Sequence, residues 1–435
     1  MDGQDLMRSA APSASADGAA WFPLLRDSAR QRALRVVGEL GAHAMPSDVE
    51  SGDASLSNGS SGLAVFFAHV ERACPGQDAR IRAMRYLDDA VGVLATVPLA
   101  PTLYTGFTGV AWAAEMVREV LDPDGEDRND AIDEALLVLL RRPGWDRAHY
   151  DLIFGLVGLG VYALERWPRP VAADCVGEVV GHLARRASHD DAGTYWFTAP
   201  WLLLGPNRET YPDGGVDLGV AHGVAGVIPF LARAATLLPE SAAGTLLEGA
   251  VRWLLAHAVA GDGGPTIPYF LTEGSELGPA RSAWCYGDPG VAAALLVAAR
   301  EVHECSWEEI AIGLAVRAAE RPVESSGVTD ACFCHGSAGL GHLFNRMYQM
   351  TGERKLADAA SFWLQRTVDV CEAAVQPIAS GSEGRGELPW SDSGILEGAA
   401  GVGLALLAAS TPVEPVWDRM FLVSRLAPHA AGAHR

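Results

Sequence analysis

The chain has 435 residues, 49% hydrophobic and 20% charged, which is enough apolar content for a large buried core and too much for a disordered polypeptide. Its formal net charge of −21 argues against a nucleic-acid partner, which needs clustered Lys and Arg, and against an anionic lipid surface. No window holds about 18 uncharged apolar residues, so no membrane span is expected, and seven sparse cysteines fit a reducing cytoplasm better than a disulfide framework.

The start, Met1 to Gly18, is rich in Ala, Ser and Asp and lacks the apolar stretch of a secretory signal, so residues 1–20 read as a flexible tail. Leu24–Gly41 has the pattern of a first outer helix. A Gly-x-x-Gly step then opens an apolar run seven times, at Gly59/Gly62, Gly106/Gly109, Gly155/Gly158, Gly223/Gly226, Gly287/Gly290, Gly336/Gly339 and Gly398/Gly401. The first glycines lie 47, 49, 68, 64, 49 and 62 residues apart. A period of that size marks one supersecondary unit repeated. Each step leads into a small-residue helix pattern, from Leu63–Val70 in the first unit to Val402–Ala409 in the last. Between them lie longer amphipathic stretches such as Gln77–Thr96, Arg128–Arg142 and Lys355–Ala373.

β-branched runs with period-two alternation are scarce, so the prediction is all-α. The last repeat is as apolar as the middle ones, unlike the polar cap an open solenoid needs. The pairs are therefore expected to close into an α/α toroid of seven inner and seven outer helices. One domain spans 21–412, with 413–435 as a C-terminal helix or tail. The longer spacings place insertions at Asp190–Gly219, Gly261–Phe270 and Gln376–Ser393, read as rims of a site.

The repeat also sets a register. Two positions before each first glycine stand Ser57, Tyr104, Ile153, Ala221, Cys285, Cys334 and Leu396, and one position before stand Asn58, Thr105, Phe154, His222, Tyr286, His335 and Glu397. Cys, Cys, His and His gather at equivalent positions of three successive repeats. Cys285, Cys334 and His335 form the S/N donor set that zinc prefers, with a fourth position open for catalysis. A lone cysteine is more often a small buried hydrophobe, but two in one register, one beside His, favour metal. Cys332 competes with Cys334, and register selects Cys334. His222 is open to three readings: a fourth ligand, a general acid/base or a core histidine.

These residues resemble a known family. Trp284-Cys-Tyr-Gly-Asp-Pro-Gly290, Cys334-His-Gly-Ser-Ala-Gly339 and Ala221-His-Gly-Val-Ala-Gly226 are similar to the zinc and active-site motifs of LanC-type lanthionine synthetase cyclases. The resemblance covers nearly the whole chain and implies an α/α toroid with one zinc, held by Cys285, Cys334 and His335. It also implies catalytic roles for Asp151, in Tyr150-Asp-Leu-Ile-Phe-Gly-Leu-Val-Gly158, and for Arg281, four residues before Cys285. By themselves Asp151 reads as a helix cap and Arg281 as a solvated loop charge.

The implied chemistry is thiol addition. A substrate cysteine, mostly protonated at neutral pH with a pKa of about 8.5, is deprotonated at zinc and adds to dehydroalanine or dehydrobutyrine. His222, tuned by Asp151, protonates the α-carbon, and Arg281 stabilises the enolate oxygen. The seven units use almost the whole length, so the substrate is expected as a precursor peptide already dehydrated by a separate dehydratase. Glutathione addition to dehydrated proteins and a non-catalytic zinc-binding scaffold are the alternatives.

Overall fold

Both glycines of each step are dictated by a tight loop. A Cβ on the second glycine would strike the carbonyl oxygen six residues earlier, that of Leu56, Leu103, Leu152, Val220, Trp284, Phe333 or Ile395 in the successive repeats. A Cβ on the first glycine would strike the residue six positions before it, at the carbonyl in five repeats and at the Asp330 or Asp392 side-chain Oδ1 in the last two. The chain therefore folds back on itself before each inner helix, and the first glycine stands as the N-cap in all seven.

The computed structural model describes residues 21–44, 52–76, 78–261, 264–274, 278–379 and 392–425. In chain order its α-helices are α1 (Asp27–Glu39), α2 (Ser60–Ala73), α3 (Ala79–Thr96), α4 (Phe107–Leu121), α5 (Asp130–Leu140), α6 (Leu156–Glu165), α7 (Pro170–Arg186), α8 (Pro206–Thr210), α9 (Val224–Leu237), α10 (Ala243–Ala256), α11 (Asp288–Val302), α12 (Cys305–Glu320), α13 (Ser337–Thr351), α14 (Arg354–Ala379) and α15 (Ala399–Ser410). The inner set is α2, α4, α6, α9, α11, α13 and α15. The outer set is α1, α3, α5, α7, α10, α12 and α14. Inner helices α6 and α15 bury every residue, as a helix apolar all round must. Outer α3 buries only Ala79, Ala83, Tyr86 and Ala90, one narrow stripe at helical spacing. The inner helices begin directly after the first glycine, a turn earlier than the sequence pattern suggests, because the two residues inside each step already have helical geometry.

The ring closes as expected. α15 packs on α2, α1 and α13, and Ile395 and Leu396 donate their N–H groups to the Ser57 carbonyl at 2.7 and 3.2 Å. Equivalent main-chain bonds join Ser57 to Tyr104, Ile153 to Ala221, Ala221 to Cys285, Cys285 to Cys334 and Cys334 to Leu396. Six of the seven neighbouring pairs of residues two before the first glycine are thus joined main chain to main chain, Tyr104 and Ile153 being the exception. Register in the sequence becomes adjacency in space.

Two insertions depart from the all-helical expectation. They hold three two-stranded antiparallel sheets: β1 (Ser188–Asp190) with β2 (Gly193–Tyr195), β3 (Val216–Asp217) with β6 (Phe270–Leu271), and β4 (Val259–Gly261) with β5 (Gly264–Thr266). Strands of two or three residues are too short to show alternation in sequence. The β3–β6 pair ties the first insertion to the second. Of the third, residues 380–391 lie outside the described residues, as do residues 1–20.

Beyond the repeats, Val416–Phe421 forms a 3₁₀ turn whose Trp417, Met420 and Phe421 are fully buried. Trp284 donates its indole N–H to the Phe421 carbonyl and Tyr104 its hydroxyl to that of Met420, each at 2.9 Å. Arg419 pairs with Glu119 and Glu165, and Asp418 with His342 and Arg346. Residues 413–425 therefore plug the ring interior instead of trailing from it. Among the described residues no helix is long and apolar enough to cross a membrane.

Candidate metal centre

The same main-chain pairing brings Cys285 and Cys334 together, with the Cys285 N–H donating to the Cys334 carbonyl at 3.3 Å. Their Sγ atoms and a ring nitrogen of His335 all lie within 4.8 Å of one another. Each cysteine stands three residues before an inner helix, α11 or α13, where the helix N-terminus favours a thiolate. Hydrogen bonding to Cys334, with His335 and Arg281 close by, draws the Cys285 thiol well below the ordinary range against the effect of burial. The shared bond with Cys285 and burial push Cys334 up. Nδ1 of His335 is buried without a hydrogen-bond partner, while Nε2 faces Asp330 Oδ2 at 3.3 Å. Two thiols and a bare imidazole nitrogen fit a soft, four-coordinate metal such as zinc. Cys332 is also close, since it forms a second group with Asp330 and His335 of the same extent.

Arg281 is no solvated loop charge. Its Nη2 lies 3.7 Å from Cys285 Sγ, its Nε is buried without a partner, and its backbone N–H donates to the Tyr269 hydroxyl at 3.1 Å. Tyr269 belongs to the second insertion, so that insertion does border the site.

His222 and Asp151 are a pair. His222 Nδ1 lies 2.8 Å from Asp151 Oδ2, and Oδ1 of Asp151 accepts the Phe154 N–H at 2.7 Å. Asp151 is thus a turn former before α6, whose N-cap is Gly155. Phe154 stacks on the His222 ring. Burial works to lower the His222 pKa, but the charge of Asp151, its hydrogen bond, and the more distant Asp217 and Cys285 raise it to about 9. Asp151 goes the other way: burial works upward, yet the charge of His222 and the hydrogen bonds of both histidines bring it to about 2. The pair is therefore an imidazolium and a carboxylate at neutral pH.

Three neighbours escaped the sequence reading. Asp217 accepts the Gly219 N–H and the Tyr286 hydroxyl, each at 2.8 Å, and burial raises it to about 6. His149 Nδ1 lies 3.7 Å from the same Asp151 Oδ2 that faces His222. Asp330 backs His335. A signal existed, because Asp53, Asp217, Asp330 and Asp392 all stand six positions before a first glycine.

A ring of seven helical pairs with a Cys/Cys/His group at its rim defines the class of protein. The family model for lanthionine synthetase C-like proteins matches residues 50–422, and the chain belongs to that family. It is 23% identical over 316 residues to the nisin biosynthesis protein NisC of Lactococcus lactis subsp. lactis, a match covering 66% of this chain and 72% of that protein. It is also similar to the solved structure of nisin cyclase, at 19% identity and a TM-score of 0.71, over 92% of this chain and 98% of that one. That likeness shows the α/α toroid.

Proposed function

We propose that this chain is a zinc-dependent cyclase that adds cysteine thiols of a dehydrated precursor peptide to dehydroalanine or dehydrobutyrine, forming lanthionine or methyllanthionine rings. The observation that carries the reading is the Cys285/Cys334/His335 donor group beside the His222–Asp151 pair, with the Arg281 guanidinium 3.7 Å from Cys285 Sγ. Family membership and the nisin relatives support it.

Cys285, Cys334 and His335 would hold zinc, which would supply the Lewis acid needed for a substrate thiol to ionise near neutral pH. The substrate sulfur forms its bond to the β-carbon, and the double-bond electrons move onto the neighbouring carbonyl oxygen. The Arg281 guanidinium stabilises that developing negative charge. Asp151 holds His222 by Nδ1, which leaves Nε2–H to deliver a proton to the α-carbon. Asp217 and Tyr286 lock to each other and line the same loops. The peptide reaches the site already dehydrated, by a separate dehydratase, in a reducing cytoplasm.

The test counts alkylatable thiols in a dehydrated, cysteine-containing precursor before and after incubation, because ring closure leaves the mass unchanged. Thiols should disappear from the dehydrated peptide and persist in the unmodified one. Persistence in both, with glutathione adducts formed instead, would replace this reading with glutathione transfer.

A further inference from the structure

The loop before an inner helix uses one carboxylate oxygen for its own turn. Where Asp stands six positions before the first glycine, its Oδ1 accepts the N–H two residues on: Ser55 at 2.8 Å, Gly219 at 2.8 Å, Cys332 at 2.9 Å and Gly394 at 2.7 Å. The other oxygen can then serve a neighbour. In repeat four Asp217 Oδ2 takes the Tyr286 hydroxyl. In repeat six Asp330 Oδ2 lies 3.3 Å from Nε2 of His335, whose Nδ1 is buried and without a hydrogen-bond partner.

We propose that Asp330 is a positioning residue of the metal centre: its Oδ2 accepts the Nε2–H of His335 and so fixes Nδ1 as the bare, metal-ligating nitrogen. The inference rests on the zinc reading above and deepens it. A neutral imidazole carries one N–H, and the stronger acceptor decides which nitrogen keeps it. A carboxylate behind a ligand imidazole also holds the ring and makes the ligating nitrogen more basic. The turn bond to Cys332 holds the Asp330 carboxylate in place beside Nε2 of His335. Asp330 supports His335 and is not itself a ligand in this proposal, although Asp330, Cys332 and His335 lie close enough to form a group themselves.

Zinc affinity of the full chain, read by competition with a chromophoric chelator, tests this. Asp330→Asn keeps an oxygen for the Cys332 N–H but sets an amide NH₂ where His335 needs an acceptor. Zinc binding should weaken by about 10- to 100-fold, with the melting temperature of the metal-free protein unmoved. Asp392→Asn, which alters the same turn in repeat seven, should leave affinity unchanged, and so should Cys332→Ala. Undiminished affinity in Asp330→Asn, or an equal loss in Asp392→Asn, overturns the proposal. Loss in both Asp330→Asn and Cys332→Ala, with zinc kept in Cys285→Ala, makes Asp330 a ligand and overturns it too. A second measurement needs no variant: with nitrogen-labelled histidine, long-range proton–nitrogen spectra of the zinc-loaded chain should show His335 as Nε2–H, and an Nδ1–H signal refutes the assignment. A wild-type chain that binds no zinc sinks the ligand set itself, a different failure from normal zinc binding in Asp330→Asn.

Discussion

Asp151→Asn removes the charge that keeps His222 protonated while preserving side-chain shape and an oxygen for the Phe154 N–H. In the wild type His222 titrates at about 9, so at pH 7.5 about 97% carries the donor proton; at the ordinary value of 6.5 only about 9% would. Loss of the carboxylate should therefore slow protonation of the α-carbon about tenfold at pH 7.5. With Asp151 neutral, Asp217 and Cys285 still oppose the lowering by burial, so the ordinary value is the reference for the variant. At pH 5.5 both proteins hold His222 mainly protonated, and their rates should agree within about twofold. The assay is single-turnover ring formation at both pH values, with zinc content measured in each sample. A deficit of the same size at both pH values, or none at pH 7.5, refutes the proton-donor role. Stability offers a second readout. A raised imidazole pKa stabilises the fold fully below 6.5 and loses that contribution as pH rises through about 9. The melting-temperature advantage of wild type over Asp151→Asn should accordingly shrink from pH 6 to pH 10, modestly, since the His222 side chain is 35% exposed.

The other expectations concern the ligands and the frame. Cys334→Ala should lose zinc and Cys332→Ala keep it; metal analysis giving the reverse would overturn the ligand assignment. His222→Asn should hold one zinc per chain yet form rings far more slowly, whereas zinc loss there would make His222 a ligand. Gly339→Ala drives a methyl into the Phe333 carbonyl and should cost about 1–3 kcal/mol or more by chemical denaturation; a neutral effect would mean the loop can shift. Trp417→Ala empties a fully buried site of the central plug and should cost about 3–5 kcal/mol, against little loss if residues 413–425 were a peripheral tail.

The Gly-x-x-Gly register made the toroid legible because each glycine answers to a local collision that recurs in every repeat. It also gathered Cys285, Cys334 and His335, since residues two before the first glycine of adjoining repeats, Cys285 and Cys334 among them, are joined main chain to main chain. Arg281 and Asp151 were visible only through family resemblance: nothing in a single Arg says that it will turn back on Cys285 four residues on, and nothing in a single Asp that it will face His222 in the next repeat. The β3–β6 pairing joins residues more than fifty apart through strands of two residues, below what alternation can reveal. The plug was missed for a related reason. Trp417, Met420 and Phe421 follow no repeat period, and their burial depends on Trp284 and Tyr104 offering hydrogen bonds from distant repeats. Asp330 stood in a repeating column that could have been read six positions upstream.

Titrating zinc into the metal-free chain while following thiol loss from a dehydrated precursor joins the site to the reaction most directly. Ring formation should be absent without metal, rise in proportion to added zinc and level off at one equivalent per chain, with no response in Cys285→Ala. Full ring formation by the metal-free protein, or undiminished ring formation by Cys285→Ala, would contradict a zinc cyclase built on Cys285, Cys334 and His335.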